Sequence, residues 1–365
     1  MNVSRYTDTT ELRFDVEFIT PTFLGGADGN AEIRTAPFKN LLRRWWRIAN
    51  GTLSPAALWK NESSLFGSTE KDPAVVEENK ALPKEKRLPE IFGKSKVELQ
   101  IVGISPDLYV SDAPLFIGKD GYSDLASYTG YGAVSVGKNI TSNEKKYIKP
   151  GTRVSFLLQC KNTAAATFEK TLFFIHLFAT IGSRSRNGWG SIAIRPVSFK
   201  FDPAKYFPRP IEFAKVLAQE KQYPFCIGSD SAGMLCWQTK ERFSNWTDAF
   251  EVIAKTYHQL VSNLKKDDKQ YRTSWRDLLG FATAKDRLPS QLLLKICTAT
   301  TKTASGVIKK SFYGQIVHTP YPIQNWDEQK KGHQLEAWKF IHDWLDGDDA
   351  LTGCMGRKIV TGAAK

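Results

Sequence analysis

Between Lys39 and Ala49 the chain reads Lys-Asn-Leu-Leu-Arg-Arg-Trp-Trp-Arg-Ile-Ala. On a helical wheel Lys39, Arg43, Arg44 and Arg47 share one arc, Leu41, Leu42, Trp45, Ile48 and Ala49 fill the other, and Trp46 stands at the boundary. No acidic residue interrupts the cationic arc. A surface helix stabilised for its own sake mixes Glu with Lys or Arg at four-residue spacing, each pair worth about 0.3–0.5 kcal/mol. Two readings fit: a solvated basic face, or a face that meets an external anion such as a phosphate. On the second, Arg43→Ala with Arg47→Ala weakens binding of a polyanion with little loss of folding.

A second constellation is Gly182-Ser183-Arg184-Ser185-Arg186-Asn187-Gly188-Trp189-Gly190. Gly182, Gly188 and Gly190 free the backbone for close approach to a ligand. Arg184 and Arg186 supply bidentate phosphate donors, and Trp189 supplies a stacking surface. That combination suits a sugar-phosphate backbone, although any helix-to-strand connection holds Gly and Arg. A third is Thr20 to Asn30, whose Gly25 and Gly26 let backbone N–H groups face a phosphate near the start of the basic helix. Asp28 in this loop is a turn residue bonding its own backbone, or a side chain that positions a 2′-hydroxyl or an attacking group. From Ser135 to Lys149, Lys138, Lys145, Lys146 and Lys149 surround Tyr147, which fits either a basic flap over nucleic acid or a solvated loop. Arg272, Trp275, Arg276, Lys302, Lys309 and Lys310 are further basic and aromatic positions of lower signal.

Catalysis needs an acid and a base. His176 lies inside Phe173-Phe174-Ile175-His176-Leu177-Phe178, the setting of a satisfied core histidine. His258, His318, His333 and His342 are scattered, and no HExxH, GxSxG, Walker A or two-metal carboxylate cluster occurs. The expectation is a non-catalytic chain with no cofactor and no metal.

These residues are set in a basic chain of 365 residues, with 51 Lys and Arg against 38 Asp and Glu and a formal charge of +13. That balance favours a polyanionic partner. Ten Trp and 12 Tyr exceed what a core usually needs, which leaves some for stacking or subunit contact. Cys160, Cys226, Cys236, Cys297 and Cys354 form no C-x-x-C pair and read as free thiols in a reducing compartment. The polar start and the lack of a long apolar run point to a cytoplasmic protein with no membrane partner.

The elements that must position these groups follow from periodicity. Leu12, Phe14, Val16 and Phe18 alternate with Arg13, Asp15 and Glu17 in a strand from Glu11 to Thr20. The basic helix follows from Lys39 to Asn50, with Thr35 as N-cap. Strands follow at Val97 to Ile104 and Thr152 to Cys160, then an apolar helix from Ala166 to Ile181, the Gly-rich loop and a strand from Ser191 to Phe201. This β-α-β-β-α-β order predicts an α+β, ferredoxin-like (RRM-like) domain. Two insertions interrupt it, Thr69 to Arg87 and Pro106 to Pro150. The second half reads as helices at Ile211 to Gln222, Asp248 to Leu264 and Glu328 to Leu345, with strands at Gln291 to Thr298 and Gly306 to His318. No sequence repeat links the halves.

Phe18 to Asp28, Ala36 to Arg47 and Glu62 to Ser68 resemble the opening motifs of the Cmr subunit one family, of type III-B CRISPR effector complexes, within the RAMP superfamily. Arg184 to Ser191 is similar to that superfamily's Gly-rich loop, and Lys145 to Gly151 is also similar to the family. Asn40 and Arg44 stand where Gly and an aromatic residue are usual, and Asn187 where Arg is common. The resemblance implies two ferredoxin-like domains with long insertions, over residues 1–204 and 205–365. It also implies a place near the 3′ end of the guide RNA in an antiviral complex, with guide RNA, target RNA and other RAMP subunits as partners and no small-molecule substrate. RNA cutting in the family is assigned to a different subunit, so Asp28 is not the expected nuclease residue. The expected function is RNA gripping by backbone shape, with sequence read by base pairing. Two other readings stay open: a metal-independent RAMP endoribonuclease that processes guide precursors through a histidine base, and a protein-docking cap.

Overall fold

The computed structural model describes residues 8–26, 30–107, 109–117, 124–135, 142–218, 226–267, 275–282, 287–302, 308–323 and 328–359. The first half contains β1 (Thr9–Phe18), α1 (Thr35–Ala49), α2 (Pro55–Phe66), β2 (Glu98–Ser105), β3 (Arg153–Lys161), α3 (Ala165–Phe178) and β4 (Ile192–Pro196). The four strands form one antiparallel sheet in the order β2-β3-β1-β4. Alternation decides which face is buried: Leu12, Val16 and Phe14 lie opposite Leu158, Val154 and Phe156, and all six are buried. α1 and α3 cover that face, with Phe38 against Phe156 and Trp45 stacked on Phe178.

The second half contains β5 (Cys236–Thr239), α4 (Trp246–Asp267), β6 (Leu292–Lys302), β7 (Ile308–His318), α5 (Glu328–Asp346) and β8 (Leu351–Gly353). Its sheet runs β6-β7-β5-β8, also antiparallel. In both halves the order is therefore second-third-first-fourth, with a helix after the first strand and another after the third. The topology repeats where the sequence does not.

Several boundaries differ from expectation for local reasons. Thr35 is the first helical residue of α1, not its cap; Arg34 holds that position without a side-chain hydrogen bond. β4 stops at Pro196, which has no N–H to extend a ladder. The helix predicted from Ile211 is short, Phe213–Leu217, and residues 219–222 lie outside the described residues. The insertion from Thr69 to Arg87 is partly ordered as a strand (Ser68–Lys71) and a helix (Pro73–Lys80) capped by Asp72.

The two halves share hydrophobic cores. Ile227, Met234, Cys236, Leu293 and Val317 join the cluster beneath the first sheet, while Ile19, Phe23 and Trp189 join the cluster beneath the second. Polar contacts stitch the same seam. The buried Lys295 ammonium donates to the carbonyls of Ile175 and His176 at the end of α3, at 3.2 and 2.7 Å. Ile296 N–H donates to Ser191 Oγ at 2.9 Å, and Leu294 N–H to the Arg186 carbonyl at 2.8 Å. The Gly-rich loop is thereby tied to β6.

Candidate nucleic-acid interface

The basic face of α1 is not free. Glu62, on α2 and almost wholly buried, accepts hydrogen bonds from both Arg43 and Arg47. Burial works to raise its carboxyl, but the bonds from Arg47 and Arg43 outweigh that and hold it below the usual carboxylate range. Lys39 Nζ donates to the Val97 carbonyl at 3.0 Å. The expectation that Lys39, Arg43 and Arg47 await an external anion is corrected: their partners come from elsewhere in the fold, where a helical wheel cannot show them.

Arg44 alone of that arc turns toward the seam. Burial lowers its pKa, partly offset by the neighbouring Tyr321 of the second half. Arg186 lies close by, its guanidinium donating to the Ser290 carbonyl. Burial and the Arg44 charge push Arg186 down to about 10. The structure therefore brings together cations from two motifs far apart in sequence.

The loop's other residues divide by face. Trp189, expected to stack on a base, is fully buried against Phe23 and Phe250, and its Nε1–H donates to Thr129 Oγ1 at 3.1 Å. Its stacking role is corrected: the ring is core. Gly182, Gly188 and Gly190 also serve packing. All three have positive φ, and a Cβ at Gly190 would stand 1.8 Å from the Ile181 carbonyl oxygen. These are close approaches to protein, not to a ligand. Gly25 and Gly26 close the earlier loop on itself, with Gly26 N–H donating to the Asn30 carbonyl and Arg34 to that of Gly25. Asp28 lies outside the described residues.

The loop's outer face is different. Ser183 to Asn187 line an open cleft of about 910 Å³ between the halves, with Lys145, Tyr128, Tyr131 and Gly132 from the Pro106–Pro150 insertion and Tyr257 and Arg276 from the second half. Arg184, Lys145 and Arg276 are exposed. None of the three makes an ion pair among the described residues, and no carboxylate is among the described residues that line the cleft. Tyr131 is 74% exposed at its mouth. Lys146 is exposed but does not line the cleft. Cationic side chains, hydroxyls and an exposed aromatic ring in one open groove match a surface that follows a polyanionic strand. Tyr131 went unread in the sequence; its only signal was the Gly130-Tyr131-Gly132 turn within the insertion.

Acid–base groups lie elsewhere. His176 is half-buried, accepts from Ile194 N–H at 3.1 Å, and is driven down to about 4 by desolvation and the Lys295 charge. His318 and His342 form a buried pair at 2.9 Å, with His318 stacked on Trp338. Among the described residues no group of three or more His, Cys, Asp or Glu side chains is placed to hold a metal ion, and no helix is long and apolar enough to cross a membrane.

The fold and site define an α+β protein of two topologically matched sheets with a cationic, aromatic cleft at their seam. Residues 15–193, a span that holds α1 and the Gly-rich loop, match the family model for the RAMP superfamily. The chain is similar to the crystal structure of Cmr1 from Pyrococcus furiosus in its apo form, at 14% identity over 87% of this chain and 91% of that one, with a TM-score of 0.46. It is also similar to a chain of a type IV-B CRISPR complex, at 15% identity over 55% of this chain and 96% of that one, with a TM-score of 0.29. No curated protein matches it in sequence.

Proposed function

We propose that this chain is a RAMP subunit of a CRISPR effector assembly and grips RNA by its backbone without cutting it. The observation that carries this reading is the seam cleft, where Lys145, Arg184 and Arg276 stand exposed with no carboxylate among the described lining residues. Unpaired cations around a concave, aromatic-rimmed groove repel one another unless an anion is drawn in, and a phosphate chain supplies several at once. The match of residues 15–193 to the RAMP superfamily supports the assignment to a CRISPR assembly. The finer placement, Cmr subunit one of a type III-B complex near the 3′ end of the guide, rests on the motifs at Phe18 to Asp28, Ala36 to Arg47 and Glu62 to Ser68. Two ferredoxin-like domains belong to the same proposal, and the shared strand order of the two sheets supports them. The non-catalytic role is supported by the described cleft-lining residues, which offer guanidinium, ammonium and hydroxyl groups but neither imidazole nor carboxylate.

The test is binding of the purified chain to labelled single-stranded RNA across a salt series, with denaturing gels on the same samples. Salt-sensitive binding of intact RNA that weakens in Arg184→Ala/Arg276→Ala supports the gripping role. Discrete cleavage products would replace it with a nuclease, and salt-insensitive binding unaffected by the double variant would remove the cleft from the account.

A further inference from the structure

A second recess, of about 380 Å³, lies at the other end of α3 from the Gly-rich loop. The 14 residues of α3 separate the two by about 20 Å at 1.5 Å per residue. Its walls are the last turn of α1 with Asn50 to Thr52, the first turns of α3, and Lys205, Tyr206, Phe207 and Arg209 from the segment that joins the two halves. Its size falls within the range of small-ligand sites.

Three cations converge there. The Lys170 ammonium donates to the Ala49 carbonyl and stands 5.8 Å from the Phe174 ring centroid, which fixes its position. Lys205 and Arg209 are exposed and make no ion pair among the described residues; the Lys205 ammonium stands 5.1 Å from the Tyr206 ring centroid. No carboxylate is among the described residues that line the recess. Two acids beside lining residues are engaged: Glu169 accepts from the Tyr206 hydroxyl at 2.6 Å, and Asp202 accepts from Lys205 N–H at 3.0 Å. Burial and the Arg209 charge lower the pKa of Lys170, as uncompensated like charges should.

An inorganic anion would account for the cations but not for Phe207, a large apolar side chain left 48% exposed between Lys205 and Arg209. An exposed ring flanked by two cations fits a ligand that carries both a phosphate and a planar base. We propose that this recess binds a nucleoside monophosphate unit, with its phosphate on Lys170, Lys205 and Arg209 and its base on Phe207. The unit is either a free nucleotide or the phosphorylated end of an RNA strand. The site is separate from the seam cleft and does not depend on it.

The test is calorimetric titration of the full chain with adenosine monophosphate, adenosine and inorganic phosphate, alongside binding of 5′-phosphorylated and unphosphorylated single-stranded RNA. Adenosine monophosphate should bind more tightly than adenosine or phosphate. Its affinity should fall about tenfold or more in Lys205→Ala/Arg209→Ala, since each lost charge-assisted contact removes on the order of one decade. Arg184→Ala/Arg276→Ala should leave it unchanged, which separates this site from the cleft. Phe207→Ala should reduce the nucleotide to the affinity of phosphate. If the double variant Lys205→Ala/Arg209→Ala loses affinity for 5′-phosphorylated but not unphosphorylated RNA as well as for the mononucleotide, an RNA end is the source; a response of the mononucleotide alone would identify a free nucleotide. Equal affinities in wild type and Lys205→Ala/Arg209→Ala, or phosphate as tight as the nucleotide in the wild type, would overturn the proposal.

Discussion

The Arg184 guanidinium stands over the ring of Tyr131, 5.9 Å from its centroid, and the Arg184 backbone is held in the left-handed region at φ 57°. The two side chains come from different segments that line the seam cleft, the Gly-rich loop and the Pro106–Pro150 insertion. A left-handed conformation is unfavourable for a residue with a Cβ, so the loop holds this arginine outward at a conformational cost. The pair offers a phosphate contact beside a stacking surface, and the two can be separated by experiment.

Tyr131→Ala should weaken single-stranded RNA binding by about 1–3 kcal/mol, the usual worth of one base on an aromatic ring, while leaving the salt dependence unchanged. Arg184→Ala should instead lower the slope of log K against log salt by about 0.7, the value for one phosphate contact on a single strand. Affinity measurements at four or more salt concentrations check both. A Tyr131→Ala slope that falls as Arg184→Ala does would show that the ring only supports the arginine.

Glu62 turns the basic helix into a stability question. Glu62→Gln should destabilise the fold by about 1–2 kcal/mol, allowing for the partial exposure of Arg43 and Arg47. Arg43→Ala/Arg47→Ala should cost at least as much, because it strands a carboxylate that is 5% exposed, and it should leave RNA affinity unchanged. The Glu62 pKa lies below its ordinary value of 4.5. Its contribution is therefore complete above pH 4.5 and is lost as pH falls through the lowered native value. Thermal unfolding of wild type and Glu62→Gln should converge in acid and diverge toward neutral pH.

What the sequence made legible was local. β1 and β3 were readable because apolar residues recur at every second place over seven positions in each, and the packed side of α1 because its period is helical. The polar side of α1 was misread because its partner, Glu62, lies on another helix. The wheel shows which residues share an arc but not what that arc faces. Likewise Trp189 beside two arginines looks like a stacking platform in one dimension. Only the fold places α4 and Phe250 over its ring. The cleft itself draws on six separated stretches of chain, from Tyr128 to Ser290, so no single motif could announce it.

The glycines of the two loops had one sequence reading but have two structural roles. Gly190→Ala should cost about 3 kcal/mol or more, combining a left-handed backbone at φ 68° with a Cβ driven into the Ile181 carbonyl. Gly25→Ala should be tolerated, since a Cβ there meets nothing within 4 Å and its φ is not in the left-handed region. Denaturant unfolding of the two variants checks the contrast. Comparable loss in both would mean that Gly25 carries a conformational demand of its own.

Trp189 provides the sharpest separation of fold from function. Its indole fills a space between Phe23 and Phe250, with ring centroids at 5.6 and 4.7 Å, and its Nε1–H is spent on Thr129 rather than on any ligand. Trp189→Ala should therefore cost about 3–5 kcal/mol, the price of removing a large ring from a packed core. Trp189→Phe keeps most of that packing and gives up one hydrogen bond, so its loss should stay near 1 kcal/mol for the bond plus a term for the smaller ring. The folded Phe variant should bind RNA with wild-type affinity and salt dependence, because the indole is fully buried and is not among the residues that line the cleft. If Trp189→Phe unfolds normally yet loses RNA affinity, the indole reaches the strand in the bound state, and the loop must open at the seam to let it do so.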